Sequence, residues 1–328
     1  MKAAMKLKQL FCVLLTLASA SAAVHAQHAV VLNSRDATLS VIDIAAGKVI
    51  ATKPVGKEPH HLYPSVDGKK LWVANAQSDD LMQINPQTGA LIQHVKNIPD
   101  PYQLGFSDDG KWFISIALRL DRVDLYRHET TATGDAFKLV KRIPTGSMPS
   151  HTVFSVDNKT AFVTLQGDNA LIAIDLATQT IAWKTPLGKT PAGLWLTPQG
   201  MVLVGIMGEN YVQVVDPAQR TTVKKIITAN GAHAFRGRGD GKTVFVSNRD
   251  SKSISAIDMA SLTKIYDIPT LNGPDCMDVS ADGKTLWVTN RWVRKVSMID
   301  IDSRKTLQSI AVGGSPHGVY LTDRAAFK

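Results

Sequence analysis

The chain has 328 residues, 44% of them hydrophobic and 20% charged. A chain of that length buries about three quarters of its unfolded surface on folding, so composition excludes a wholly disordered protein and permits a large core. Lys and Arg number 37 against 28 Asp and Glu, a formal net charge of +9, which permits an anionic partner without demanding one.

The first elements in chain order belong to a leader. Lys2, Lys6 and Lys8 form a basic start, Leu10 to Leu17 is apolar, and small residues run on to Ala26. Val24-His25-Ala26 has the small residues of a cleavage signal, so residues 1–26 are expected to be a signal peptide and 27–328 a single periplasmic domain. The apolar run is shorter than the roughly 20 residues of a membrane span. No later segment approaches a span. Cys12 goes with the leader, which leaves Cys276 alone and excludes an intramolecular disulfide in the mature chain. No CxxCH occurs, which excludes a covalent c-type haem.

From there the chain is a repeat. Tight-turn pairs stand at Asp67-Gly68, Asp109-Gly110, Asp157-Asn158, Gln199-Gly200, Asp240-Gly241 and Asp282-Gly283, spaced 42, 48, 42, 41 and 42 residues apart. Pro59, Pro101, Pro149, Pro191 and Pro274 each precede a pair by eight residues, with Ala232 in that place once. A β-rich run follows each turn, as in Leu71 to Asn75, Thr243 to Asn248 and Thr285 to Asn290. Then comes an alternating strand ending in Asp (Asp43, Asp175, Asp216, Asp258, Asp300), and a fourth strand. Four short strands per ~42 residues predict the blade of a β-propeller. Residues 28–56 lack a first strand and Ser315 to Asp323 is a lone first strand. Together they complete a seventh blade, closed by pairing the two ends of the chain, which removes exposed sheet edges. The extra residues around Arg127 to Asp135 read as an extended turn.

Trp72-Val-Ala-Asn75, Phe245-Val-Ser-Asn248 and Trp287-Val-Thr-Asn290, each after an Asp-Gly turn and the last two before an Ile-Asp strand, resemble the YVTN repeat. Over about 28–323 the chain is similar to YncE-like periplasmic and surface-layer propellers. The resemblance implies an all-β, seven-bladed propeller with four antiparallel strands per blade. It fixes no function, because relatives include lactonases, lyases, the d1-haem domain of nitrite reductase and non-enzymatic binders. It also implies a functional face, formed by the loops leading into the innermost strands and those between second and third strands. The Asp-Gly turns lie on the opposite face.

Aligning the loops that enter the innermost strands, blade by blade, gives two columns of residues expected to lie in those loops. One position past the proline stand His60, Tyr102, Ser150, Ala192, His233, Asp275 and His317. Two past stand His61, Gln103, His151, Gly193, Ala234, Cys276 and Gly318. Five of the nine histidines fall in these columns, a pattern suited to metal binding or acid–base chemistry at the channel mouth. His60 and His317 belong to adjacent blades and are the expected close pair. His60, His61, His151 and His317 are the candidate metal ligands. Asn33, Asn75, Asn248 and Asn290 share another column and are expected to bond the turn after them. Just beyond them stand Arg35, Arg249, Arg291 and Arg294, with Arg236 and Arg238 in the same sector. Trp292 among these cations can stack on a ring. Trp72, Trp112, Phe162, Phe245 and Trp287 recur at one strand position and are expected to pack between blades.

HExxH, GxSxG and P-loop motifs are absent. The sequence therefore reads as an exported, monomeric binding protein rather than an enzyme. It takes an anionic small molecule, peptide or partner protein through His60, His233, His317, Asp275, Arg35, Arg249, Arg291, Arg294 and Trp292. One alternative is a divalent-metal-assisted lyase or lactonase centred on His60, His317 and Asp275. Another is a single-stranded nucleic-acid binder, which would show steep salt dependence.

Overall fold

The structure, a computed structural model, describes residues 27–326. The expected leader, residues 1–26, lies outside the described residues. Strands β1 to β28 follow in chain order and form seven four-stranded antiparallel sheets. The expected fold class is borne out, and so is its closure. The last strand, β28 (Pro316–Leu321), pairs with the first, β1 (His28–Asn33), with Ala29 opposite Leu321 and Val31 opposite Val319. That closing blade is blade 1, and blades 2 to 7 follow along the chain.

Local chemistry explains the repeat. At the first hairpin of four blades a serine both donates and accepts within the same small network. Ser65, Ser107, Ser155 and Ser280 donate to Asp67, Asp109, Asp157 and Asp282 at 2.5–2.7 Å, and each hydroxyl accepts the amide five residues on. The residue after the Asp sits at positive φ, which Gly tolerates and Asn158 accepts (φ 55). The second recurrent Asp caps the outer hairpin, as Asp43 does by accepting the amide of Ala46 at 2.8 Å.

Blades cohere through side chains shared across their faces. Trp72, Trp112, Phe162, Phe245 and Trp287 are all buried, and the apolar clusters bridge neighbouring blades: Trp287 packs with Ala29 and Val31 of blade 1. Burying each such ring contributes about 2–3 kcal/mol relative to leaving it exposed.

One expectation fails locally. The extra residues of blade 3 are not a turn but strand. They lengthen β10 (Arg122–Thr131) and β11 (Gly134–Pro144) to 10 and 11 residues. The extension is held by Asp135, whose carboxylate accepts from Thr130 at 2.8 Å and from Gln83 of blade 2 at 2.5 Å. That cross-blade anchor gives the long hairpin a buried partner, so pairing continues where an isolated ribbon would fray.

Candidate functional site

Each innermost strand begins in the same way. The residue before the proline position lies at positive φ: Glu58, Asp100, Met148, Thr190, Gly231, Gly273 and Ser315. Pairing is then irregular over the next two residues, as between Pro59 and His61 or Pro274 and Met277. A left-handed residue followed by a bulge re-aims the two side chains that follow. Those two columns therefore do not lie in loops, as the sequence suggested. They occupy β4 (Pro59–Pro64), β8 (Pro101–Phe106), β12 (Pro149–Phe154), β16 (Pro191–Leu196), β20 (Ala232–Gly237), β24 (Pro274–Val279) and β28.

Around the axis the side chains meet. His60 is stacked between His317 and Tyr102, with ring centroids 3.9 Å away on either side. His61 lies 4.8 Å from His317 and 5.4 Å from His151, which is 5.4 Å from His233. The expected pair of His60 and His317 is thus present, and His151 and His233 join it from across the channel. His60, His151, His233 and His317 are each at most 4% exposed.

Asp275, wholly buried, organises one side. Its Oδ1 accepts from Arg249 Nη2 at 2.6 Å and from His233 Nδ1 at 3.0 Å. Its Oδ2 lies 3.2 Å from Arg291 Nη1 and 3.6 Å from His317 Nε2. Burial pushes this carboxyl up, but Arg249, His317 and His233 together hold it well below the usual carboxylate range. Burial drives His60, His151 and His317 well below the ordinary imidazole value, with neighbouring histidines and arginines adding to the effect. His61 falls to about 4 for the same first reason. Burial pushes Tyr102 up to about 12, and the Cys276 thiol up as well. At neutral pH the centre therefore holds neutral imidazoles, a neutral phenol and thiol, one carboxylate and two guanidinium groups.

The tautomers follow from the partners. His233 donates from Nδ1 to Asp275, and its Nε2 accepts from Arg249 at 2.8 Å. His61 donates from Nδ1 to the Tyr102 carbonyl at 2.6 Å, which leaves Nε2 with the lone pair. His151 Nδ1 is 3.1 Å from Ser150, while its Nε2 and that of His317 are buried without a hydrogen-bond partner.

Arg249, Arg291, Arg294, Arg35 and Trp292 share one face. Arg249 and Arg291 both meet Asp275, and Arg294 lies 3.8 Å from Asp36. Arg35 and Arg291 line one hollow of about 350 Å³ with Lys57 and Glu58. Trp292 covers Gly273, where a Cβ would fall 2.7 Å from the indole, and remains half exposed. Arg236 and Arg238 lie instead towards the Asp-Gly turns. Arg236 is buried against Asp278, and Arg238 meets Asp302. The four recurrent Asn residues are buried and tie second strands to third, as Asn248 does to Ser253 and Ser255. Tyr102 and Cys276 were not among the candidate residues. Their positions in the two aligned columns were the available signal.

A model of the YncE-like β-propeller family matches residues 8–327. No match was found among the curated proteins. Among solved structures the chain is similar to a functionally unknown protein from Desulfotomaculum acetoxidans, with 14% identity and TM-score 0.75, covering 90% of this chain and 98% of that one. It is similar to a putative 6-phosphogluconolactonase from Bacteroides uniformis, with 17% identity and TM-score 0.73, covering 90% and 100%. It is also similar to the dihydro-heme d1 dehydrogenase NirN in complex with DHE, with 16% identity and TM-score 0.66, covering 89% and 74%. At these identities the likeness shows the fold alone.

Proposed function

The chain belongs to the YncE-like β-propeller family, and on that premise we propose that it is an exported binding protein whose axial centre takes a transition-metal ion. One observation carries this reading: His60, His61 and His317 each offer a nitrogen within 4.8 Å of the others, and Asp275, Cys276 and His317 form a second such group. Ligands at 2.0–2.1 Å from a tetrahedral ion stand roughly 3.3 Å apart, so small ring shifts bring these atoms into a coordination shell. Imidazole must be neutral to ligate, and burial keeps it so here. The Tyr102 carbonyl orients His61 in the way that outer partners orient metal-bound histidines. A mainly imidazole set suits zinc, copper, iron or nickel.

The test is a thermal melt of EDTA-treated protein with Zn²⁺ or Cu²⁺ added back. Binding to the folded state alone stabilises by about 2.7 kcal/mol at a hundredfold excess over Kd. The shift should disappear in the His60→Ala/His317→Ala double variant. No metal in the purified protein and no shift on addition would end the proposal.

A second reading is favoured by the mouth hollow. Arg35, Lys57 and Arg291 converge there, beside the axial centre, and suit a carboxylate or phosphate. On this reading an anionic molecule or an acidic partner segment is captured at the rim.

A further inference from the structure

Beneath the imidazole centre the axis opens into a chamber of about 700 Å³. We propose that this chamber is a binding site for a small, uncharged, mainly apolar, ring-bearing molecule that carries one hydroxyl or N–H group. This goes beyond the metal reading and requires no metal.

The walls supply the first argument. Tyr63, Phe106, Phe154, Trp195, Phe235 and Tyr320 line the chamber. Six aromatic rings around one void of this size fall within the range of small-molecule sites, about 300–1,000 Å³. Such walls reward a flat apolar body by area removed from water and by ring contacts.

The ceiling supplies the second. His61, Gln103, His151 and Cys276 form it. His151 Nε2 is buried and lacks a hydrogen-bond partner. Thr164 donates to the Ala192 carbonyl at 2.8 Å, so Ser150 donates to Thr164 and accepts from His151 Nδ1. The lone pair of the neutral ring is then on Nε2, and the head that satisfies it is a donor.

Charge supplies the third. Above the ceiling, Arg249 and Arg291 are already engaged by Asp275. A carboxylate entering the chamber would lose its hydration without gaining either guanidinium, and an ammonium would face the same two cations. Charged groups in the lining, Asp108, Asp323 and Arg324, stand at the far rim from the imidazoles, with the turn residues and the C-terminal segment. An uncharged ligand enters past them at little electrostatic cost.

The size of the void is itself written in the sequence. Gly105, Gly193 and Gly318 line it. At Gly193 a Cβ would fall 2.1 Å from the His233 carbonyl oxygen, so blade 5 can approach blade 6 only without a side chain there.

The probe is 2-naphthol, a fluorescent, uncharged, two-ring molecule with one hydroxyl. It is titrated into EDTA-treated protein, so metal plays no part, and the failure of this proposal is separable from that of the metal site. Saturable 1:1 binding is expected, with Trp195 emission quenched. Methylation of the hydroxyl, in 2-methoxynaphthalene, should weaken binding at least tenfold. Ala234→Trp or Val153→Trp, each filling the chamber from a half-buried lining position, should weaken it at least tenfold. Val156→Trp, on an exposed turn outside the lining, should leave it unchanged. Circular dichroism identifies the variants that fold, and either filling variant suffices. Absence of saturable binding to the wild type would overturn the proposal. So would equal affinity in a folded filling variant, or equal affinity for the methoxy compound.

Discussion

Acidification should destabilise the metal-free protein steeply between pH 7.5 and 5.5. Five axial histidines have folded-state pKa values lowered by burial: His60, His61, His151, His233 and His317. In the unfolded chain each titrates near 6.5. Between that value and the lower folded one, the unfolded state binds more protons, so stability falls as pH falls. For a group whose folded value lies well below 5.5, the loss from pH 7.5 to 5.5 is about 1.4 kcal/mol. If the four strongly lowered rings, His60, His61, His151 and His317, all stay neutral across this window, the loss reaches about 6 kcal/mol, comparable to the whole ~5–15 kcal/mol of a typical native state, and His233, whose value is lowered less, adds to it. The charges facing the rings do not cancel this. Arg249 and Arg291 repel an added proton, and Asp275, which attracts one, is already included in the lowered values. Asp275 itself stays ionised throughout this window, since its folded value lies below the ordinary one. At ~300 residues the expected fall in melting temperature is about 10 °C. Thermal melts of EDTA-treated protein at pH 7.5, 6.5 and 5.5 measure it, and proton uptake on unfolding should approach four at the lowest pH. A melting temperature constant within about 3 °C would show that the imidazoles are not held neutral in the folded state, and the electrostatic account of the centre would fall.

Asp275→Asn removes the buried carboxylate between two guanidinium groups. It should cost about 3–5 kcal/mol in urea unfolding, whereas a loss under 1 kcal/mol would mean that water already compensates the arginines. Deleting residues 315–328 removes β28 and bares the β1 edge. The truncated chain should be insoluble or lose several kcal/mol, and an unchanged melting curve would contradict the closure. Arg35→Ala with Lys57→Ala should weaken phosphate binding at the rim at least fivefold. Lys69→Ala with Lys70→Ala, on the opposite face, removes the same charge and should not. Equal losses would mean a diffuse field rather than a site.

The repeat could be read because its determinants are local. Each turn pair and each hairpin-capping Asp acts within a few residues, and the period follows from counting them. The proline phase likewise aligned His60 with Asp275 and His317, residues more than 200 positions apart in sequence. What the alignment lacked was a radius. It ordered His151 and His233 around the ring but could not show that they touch across it at 5.4 Å. That distance depends on how far small residues such as Gly193 let the blades close in, which is a property of packing between strands. The engagement of Arg249 and Arg291 was hidden for a related reason. Both follow YVTN-like Asn residues, but their shared partner Asp275 lies on another strand whose side chain is turned by a bulge. Blade 3 misled because the anchor of its long hairpin, Gln83, belongs to a different blade.

The pairing of β28 with β1 also determines how the ring responds to tension. Bringing ends nearly 300 residues apart together costs about 5 kcal/mol of loop-closure entropy, so this pairing is the costliest long-range step in assembling the ring. Ala29 faces Leu321, and the strands are antiparallel. A pull applied at residues 28 and 321 therefore loads the ladder at one end only, and its hydrogen bonds yield one rung after another instead of sharing the load. The same bonds that make the ring continuous at rest make it peel under small forces, while the six blades whose strands are consecutive in the chain stay folded. Mechanically the molecule is a clasp, strong when closed and opened from one corner.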